Sequence, residues 1–197
     1  MTNRWFVVVV VVLFVASLVG AQQDPPHWKY AQTPPMGWNS WDIFGTTVTE
    51  EQVREQADAM ARLLLPAGYD ILTVDIQWYE PNSVSHMYKP GAELEMDRYS
   101  RLLPGLKKFP SAANGMGFKP LADYVHSKGL RFGIHIMRGI PRQAVHRNMP
   151  ILGTDARAAD IANTNSTCPW NPDMYGVDMA QAGAQEYYNS IFKLYAS

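Results

Sequence analysis

The sequence has almost no cysteine. Cys168 is the single one among 197 residues, so an internal disulfide is excluded. There is no excess of either charge. Seventeen basic side chains stand against 18 acidic ones, which argues against a nucleic-acid or acidic-ligand surface. The five histidines, His27, His86, His126, His135 and His146, show no zinc-ligand spacing, so no metal is expected. No strand runs into a glycine-rich phosphate turn, and no Ser/His/Asp nucleophile arrangement is visible. The longest apolar run, Trp5 to Val19, stops at 15 residues. That is short of the roughly 20 that span a bilayer, so no stable membrane anchor is expected.

That run has the marks of an export signal instead. Arg4 gives the positive flank, and Val19-Gly20-Ala21 offers small residues for cleavage. The expected organisation is a signal peptide over 1–21 and one domain over 22–197, in a secreted or periplasmic protein. Cys168 is then left to a partner outside the sequence or to a buried thiol. Asn165-Ser166-Thr167 is a glycosylation sequon in a polar loop, relevant if the source is eukaryotic.

Two stretches say most about what is present. Thr33-Pro-Pro-Met-Gly-Trp-Asn-Ser-Trp41 sets two indoles at the start of a domain. Tyr69-Asp-Ile-Leu-Thr-Val-Asp-Ile-Gln-Trp78 is an apolar strand that ends on a carboxylate, Asp75, beside another indole. Indoles stack on the apolar faces of sugar rings, and a carboxylate at a strand end accepts bonds from hydroxyls. Together they point to a carbohydrate ligand.

Between and beyond these stretches a helix–glycine–strand pattern repeats. Thr49 and Gln52 form a capping box, with Val53, Ala57, Met60 and Leu64 following at helical spacing. Pro66 and Gly68 end that helix, and Tyr69 to Val74 reads as a strand buried on both faces. The second copy begins near Phe118, with Pro120 in the first turn and Leu121, Tyr124 and Val125 facing inward. Gly129 closes it, and Leu130 to Ile136 is the next strand. A third helix is expected from Asp178, with Gln181 in the capping-box position and Ala180, Ala184, Tyr187, Ile191 and Leu194 on one face. Alternating helices and buried strands mean an α/β fold with a parallel sheet. The connections after the strands, about 77–117 and 137–177, are long, as in a (β/α)₈ barrel that builds its site there. The expected class is the N-terminal portion, about three βα units, of such a barrel. A complete one takes about 250 residues.

At these residues the sequence resembles glycoside hydrolase family 27, the melibiase or α-galactosidase family. Thr33 to Trp41 is similar to its opening motif, Glu51 to Asp75 to its first helix and second strand, and Gly117 to Gly133 to the segment before its third-strand site. The resemblance implies retaining hydrolysis of terminal α-galactosyl bonds by two carboxylates about 5 Å apart, with no cofactor. In the family the nucleophile is an aspartate in a Lys-x-Asp motif on the fourth strand, and the acid/base follows later. Both are expected beyond Ser197, so the resemblance implies no catalytic residue within this chain and no hydrolysis by it alone. Trp41 matches the tryptophan that packs on the sugar. Asp75 matches the first aspartate of an Asp-Asp pair that holds ring hydroxyls.

Two positions depart from the family pattern. Ile76 stands where the second aspartate of the pair contacts the 6-hydroxyl of galactose. Isoleucine cannot accept that bond and suits a sugar without the hydroxymethyl arm, such as β-L-arabinopyranose, whose hydrolysis also occurs in the family. His135 stands where tyrosine is frequent. It can still bond a hydroxyl, and it can also become charged. Trp41, Asp75, Ile76, Trp78 and His135 are therefore the expected substrate-binding residues, with blander readings beside them. Trp41 and Trp78 can be core indoles, Asp75 can pair with an arginine, and His135 can be a buried histidine bonded to backbone. Asp42 is a weaker candidate, as is Arg138. Arg142 reads as a structural partner for an acid, and Glu93, Glu95 and Asp97 as a solvated loop face. A non-catalytic sugar-binding chain and an inert fragment are the alternatives to an enzyme.

Overall fold

The computed structural model describes residues 24–30, 32–84 and 88–197. The expected signal peptide lies outside them. The chain divides into two compact units between Pro35 and Met36. In the first, the described residues form one 3-10 helix, Pro26–Tyr30, with no buried side chain.

The second unit is built on three short parallel strands: β1 (Gly37–Asn39), β2 (Ile71–Val74) and β3 (Arg131–Ile134), in the order β1-β2-β3. Their register aligns Asn39 with Thr73, and Thr73 with Gly133. Gly37 is required by this pairing, because a Cβ there would stand 2.3 Å from the Ile71 carbonyl oxygen. Between β1 and β2 runs α1 (Glu50–Leu63). Its capping box is complete: the Thr49 hydroxyl accepts from the Gln52 amide, and the Gln52 side chain accepts from the Thr49 amide. Such a cap contributes about 1 kcal/mol. Val53, Ala57 and Met60 are buried in the same core cluster as Leu72 and Val74 of β2, whereas Leu64, expected on the same face, is 38% exposed. Gly68 closes the following 3-10 turn at φ 89°. Leu72 and Val74 of β2 are fully buried and Ile71 and Thr73 only partly, so the strand is not sealed on both faces.

Between β2 and β3 lies α2 (Lys119–Ser127), with proline in its first turn and Leu121 and Val125 in the core. Tyr124 turns partly outward, where its hydroxyl donates to Asp58 at 2.9 Å. After β3 the chain makes an excursion within the long connection expected over 137–177. It holds a second, antiparallel sheet of β4 (Ile140–Pro141), β5 (Ala162–Thr167) and β6 (Met174–Val177), in the order β4-β6-β5. The Asn165 sequon therefore sits on a strand, with Asn165 exposed. A separate apolar cluster including Ile140, Ile151, Ile161, Ala184 and Tyr187 underlies this sheet.

The last helix, α3 (Ala184–Tyr195), starts six residues later than expected. Asp178 does accept from the Gln181 side chain and the Ala180 amide, but these bonds close a turn. Gly183, at φ 93°, separates that turn from the helix, and Ala180 is exposed. Tyr187 and Ile191 carry the buried face.

Candidate sugar-binding site

In-register parallel strands end at one level, so the residues just past them meet. Asn39 closes β1, Asp75 follows β2 and His135 follows β3. The ladder extends to this level through Ser40 N to Thr73 O (3.1 Å) and His135 N to Val74 O (2.9 Å). The C-terminal edge of a parallel sheet is where α/β folds place ligands.

Asp75 is the centre of the group, with 8% of its surface exposed. Its Oδ1 accepts from the Ile76 amide at 2.8 Å and lies 2.7 Å from His135 Nδ1. Its Oδ2 accepts from Asn39 Nδ2 at 2.7 Å. Its own amide donates to the buried Ser40 hydroxyl at 2.9 Å. Asn39 is bound at both ends, since its Oδ1 accepts from the Trp41 amide at 2.8 Å. The stretch Asn39-Ser40-Trp41 thus fixes both the acid and the indole. Burial pushes the Asp75 carboxyl up, but bonds from His135, Asn39 and Ile76 outweigh it and hold the group below its ordinary value. The bond to Asp75 raises His135, against a smaller opposing effect of burial. The charged pair is thereby favoured on both sides.

Around this centre lies an open cavity of about 480 Å³, lined by Asn39, Trp41, Asp42, Asp75, Ile76, Tyr88, His135 and Trp170. That volume falls in the roughly 300–1,000 Å³ range of small-molecule sites. One face is aromatic: Trp41 stacks on Tyr88 with ring centroids 5.7 Å apart and planes at 14°. Burial first, then the charges of Asp75 and Asp173, push the Tyr88 phenol up to about 12, so it stays neutral. Ile76, 1% exposed, is an apolar residue buried at the lining beside the carboxylate.

Four of the five expected residues meet here: Trp41, Asp75, Ile76 and His135. Trp78 does not. It is fully buried, edge-on to Tyr79, Phe118 and Tyr195 at centroid distances of 5.1, 5.2 and 5.7 Å. Its Nε1 donates to the His135 carbonyl at 2.9 Å, so it props the strand end from behind. Asp42 joins the lining, exposed. Arg142 lies over the Tyr175 ring at 4.7 Å, on the antiparallel sheet. Asp97 pairs with Arg101 at 2.6 Å and Glu93 with Arg147 at 2.8 Å. Cys168 is a free, half-buried thiol. Asn39, Tyr88 and Trp170 were not singled out from the sequence. Asn39 had a signal, since it lies inside the opening motif.

The loops that follow the strands are tied together by buried polar groups. Lys108 Nζ donates to the carbonyls of Thr46 (2.8 Å) and Gln77 (2.7 Å) and to the Ser83 hydroxyl (2.9 Å). Burial lowers its pKa to about 8, against an opposing pull from Glu80. Asp173 receives bonds from Gln77 Nε2 and, at 3.3 Å, from the Tyr79 hydroxyl.

The family model described as "Melibiase_2: Alpha galactosidase A" matches residues 33–147. The chain belongs to this family of α-galactosidase-like proteins, glycoside hydrolase family 27. A family 27 β-L-arabinopyranosidase from Geobacillus stearothermophilus, solved in complex with arabinose, is 62% identical with a TM-score of 0.85. The match covers 87% of this chain and 40% of that one. An α-galactosidase from Cyamopsis tetragonoloba is 42% identical over 120 residues, 60% of this chain and 24% of its own. One from Coffea arabica is 42% identical over 119 residues, 60% of this chain and 26% of its own. The chain therefore spans about a quarter of these α-galactosidases and two fifths of the arabinopyranosidase.

Proposed function

We propose that the chain supplies the sugar-holding part of a family 27 glycosidase site, and that the sugar is a β-L-arabinopyranoside. The observation that carries this is Ile76, an apolar residue at the cavity lining next to Asp75, where a galactose-specific site needs an acceptor for the 6-hydroxyl. Beta-L-arabinopyranose presents the same ring without the hydroxymethyl arm. The 62% identity to an arabinopyranosidase supports the same choice. Hydrolysis of α-galactosides is the second reading, favoured by the α-galactosidases among the relatives. An apolar wall discriminates weakly, so some galactoside binding is expected beside arabinoside binding.

In this reading Asp75 binds sugar and does not attack it. A carboxylate has about four acceptor positions. Asp75 uses two on Oδ1 and one on Oδ2, which leaves one on Oδ2 for a ring hydroxyl. Trp41, backed by Tyr88, takes the apolar ring face. The attacking carboxylate and the proton donor, about 5 Å apart in a retaining enzyme, come from the part of the family's length beyond these residues. The strands β1 to β3 are then the first three of an eight-stranded barrel. That β3, among the described residues, pairs with β2 alone supports this. An apolar cavity of about 300 Å³, bordered by Phe118, Phe132, Ile134, Leu194 and Tyr195, offers a surface for further elements. The chain alone would bind sugar without hydrolysing it. The run before Gln22 would direct export.

Titration calorimetry with L-arabinose and D-galactose tests the reading. Arabinose should bind more tightly, and Asp75→Ala should weaken it about tenfold or more, the worth of one charge-assisted hydrogen bond. Equal or stronger galactose binding would overturn the arabinoside assignment.

A further inference from the structure

Trp170 stands out among the cavity's residues because the residues that follow it are anchored while it is itself open. The residue is 56% exposed, whereas Asp75 and Ile76 are 8% and 1% exposed. Trp170 therefore borders the outer part of the cavity whose inner wall they form. Its ring lies 5.4 Å from Tyr88, tilted at 47°, so the stacked pair of Trp41 and Tyr88 continues outward into a third ring.

The loop that carries it is held firmly. Pro169 and Pro172 restrict the backbone on either side. Asn171, the next residue, is fully buried, and its Oδ1 accepts from the Asp173 amide at 3.0 Å. Asp173 is anchored in turn by Gln77 and Tyr79, just past β2. A backbone anchored in this way reduces the freedom lost when a ligand settles on the side chain it carries.

We propose that Trp170, with Tyr88 beside it, is the platform for the group on the leaving side of the glycosidic bond, an aryl ring or a second pyranose. The proposal rests on the arabinopyranoside reading and adds a second subsite to it. Once the terminal ring occupies the inner cavity, with one hydroxyl on Asp75, its substituent extends toward the more exposed rim where Trp170 stands. An indole face there is sequence-independent and sugar-tolerant: it takes any flat apolar surface, whether an arene or the carbon face of a sugar. The inner cavity then sets which terminal sugar is accepted, and Trp170 which class of aglycone.

The test compares methyl 1-thio-β-L-arabinopyranoside with phenyl 1-thio-β-L-arabinopyranoside. These share the terminal ring, resist hydrolysis and differ only in the aglycone. Calorimetry on the 197-residue chain should find the phenyl compound about threefold to tenfold tighter, the range for one aromatic contact. Trp170→Ala should remove that preference, weakening the phenyl compound more than the methyl compound, while Trp170→Phe should keep most of it. A phenyl preference that is absent, or that survives in Trp170→Ala, overturns the subsite while methyl binding keeps the arabinopyranoside reading intact. If neither compound binds, the arabinopyranoside reading fails first and the subsite falls with it.

Discussion

Asp75 and His135 each make the other's charged form more stable, and the consequence is a pH window. Asp75 titrates below its ordinary 3.8 and His135 above its ordinary 6.5, so between those values both are charged and the pair contributes in full. On the acid side the contribution is lost as pH falls through the lowered Asp75 value. On the alkaline side it is lost as pH rises through the raised His135 value. The two titrate as a coupled pair. His135→Gln keeps a donor near Asp75 but removes the charge. Thermal melting from pH 5 to 9 should show the native protein losing stability on the alkaline side relative to this variant, and parallel curves would contradict the pairing. Ile76→Asp tests the specificity wall. The new carboxylate should move the binding ratio toward galactose, and should also destabilise the protein because it is buried beside Asp75. An unchanged ratio in titration calorimetry would remove Ile76 from the determinants of specificity. At this scale the sequence was informative where a residue's place follows from its strand. Asp75 and His135 lie just past β2 and β3, and the apolar runs before them mark those ends. For Trp78 the sequence leaves cleft lining and core packing both open, because the chain leaves the sheet after Val74 and period-2 reasoning no longer says where a side chain points. Its burial is decided by Phe118 and Tyr195, which the fold brings from far along the chain.

Local capping chemistry marks some elements clearly and others not at all. Thr49 and Gln52 begin α1 at the expected place, because both side chains find backbone amides of the same turn. Asp178 and Gln181 have the same spacing but close on a turn of their own, because Gly183 adopts a left-handed φ of 93° just before the helix. The antiparallel sheet after β3 was read as loop, because β5 is a polar strand, Ala162–Thr167, with a register shift between Asn163 and Thr167. Tyr88 and Trp170 reach the cavity from the two long connections, and no periodicity marks such positions. What holds these connections is also non-local. Lys108 bonds to groups following both β1 and β2, at Thr46, Gln77 and Ser83. Lys108→Met keeps the volume and removes the three donated bonds. It should cost about 2–3 kcal/mol in denaturant unfolding, the scale for buried acceptors that lose a charged donor. A cost within about 0.5 kcal/mol, the level of an ordinary surface change, would show that the ammonium does not tie the loops.

At the scale of the whole molecule the parallel sheet pairs asymmetrically. β2 is bonded on both sides, whereas β3, among the described residues, pairs with β2 alone. Its bonds to that neighbour come from alternate amides, Arg131 to Asp70 at 2.7 Å and His135 to Val74 at 2.9 Å. Hydrogen exchange should therefore find the Arg131 and His135 amides protected and the intervening Phe132 and Ile134 amides fast. Uniform protection across β3 would mean that its outer edge is covered. The α/β class and the strands β2 and β3 were legible from apolar stretches alternating with helical spacing. The meeting of Asn39, Asp75 and His135 was not, because it depends on the register between strands. All the functional assignments require those three strand ends to hold one pyranose against Trp41, and an experimental structure with L-arabinose bound is the most direct test of that. The account predicts the sugar in the cavity between Trp41 and His135, with a ring hydroxyl within hydrogen-bond distance of Asp75 Oδ2. A sugar bound elsewhere, or seated there without touching Asp75, would contradict it.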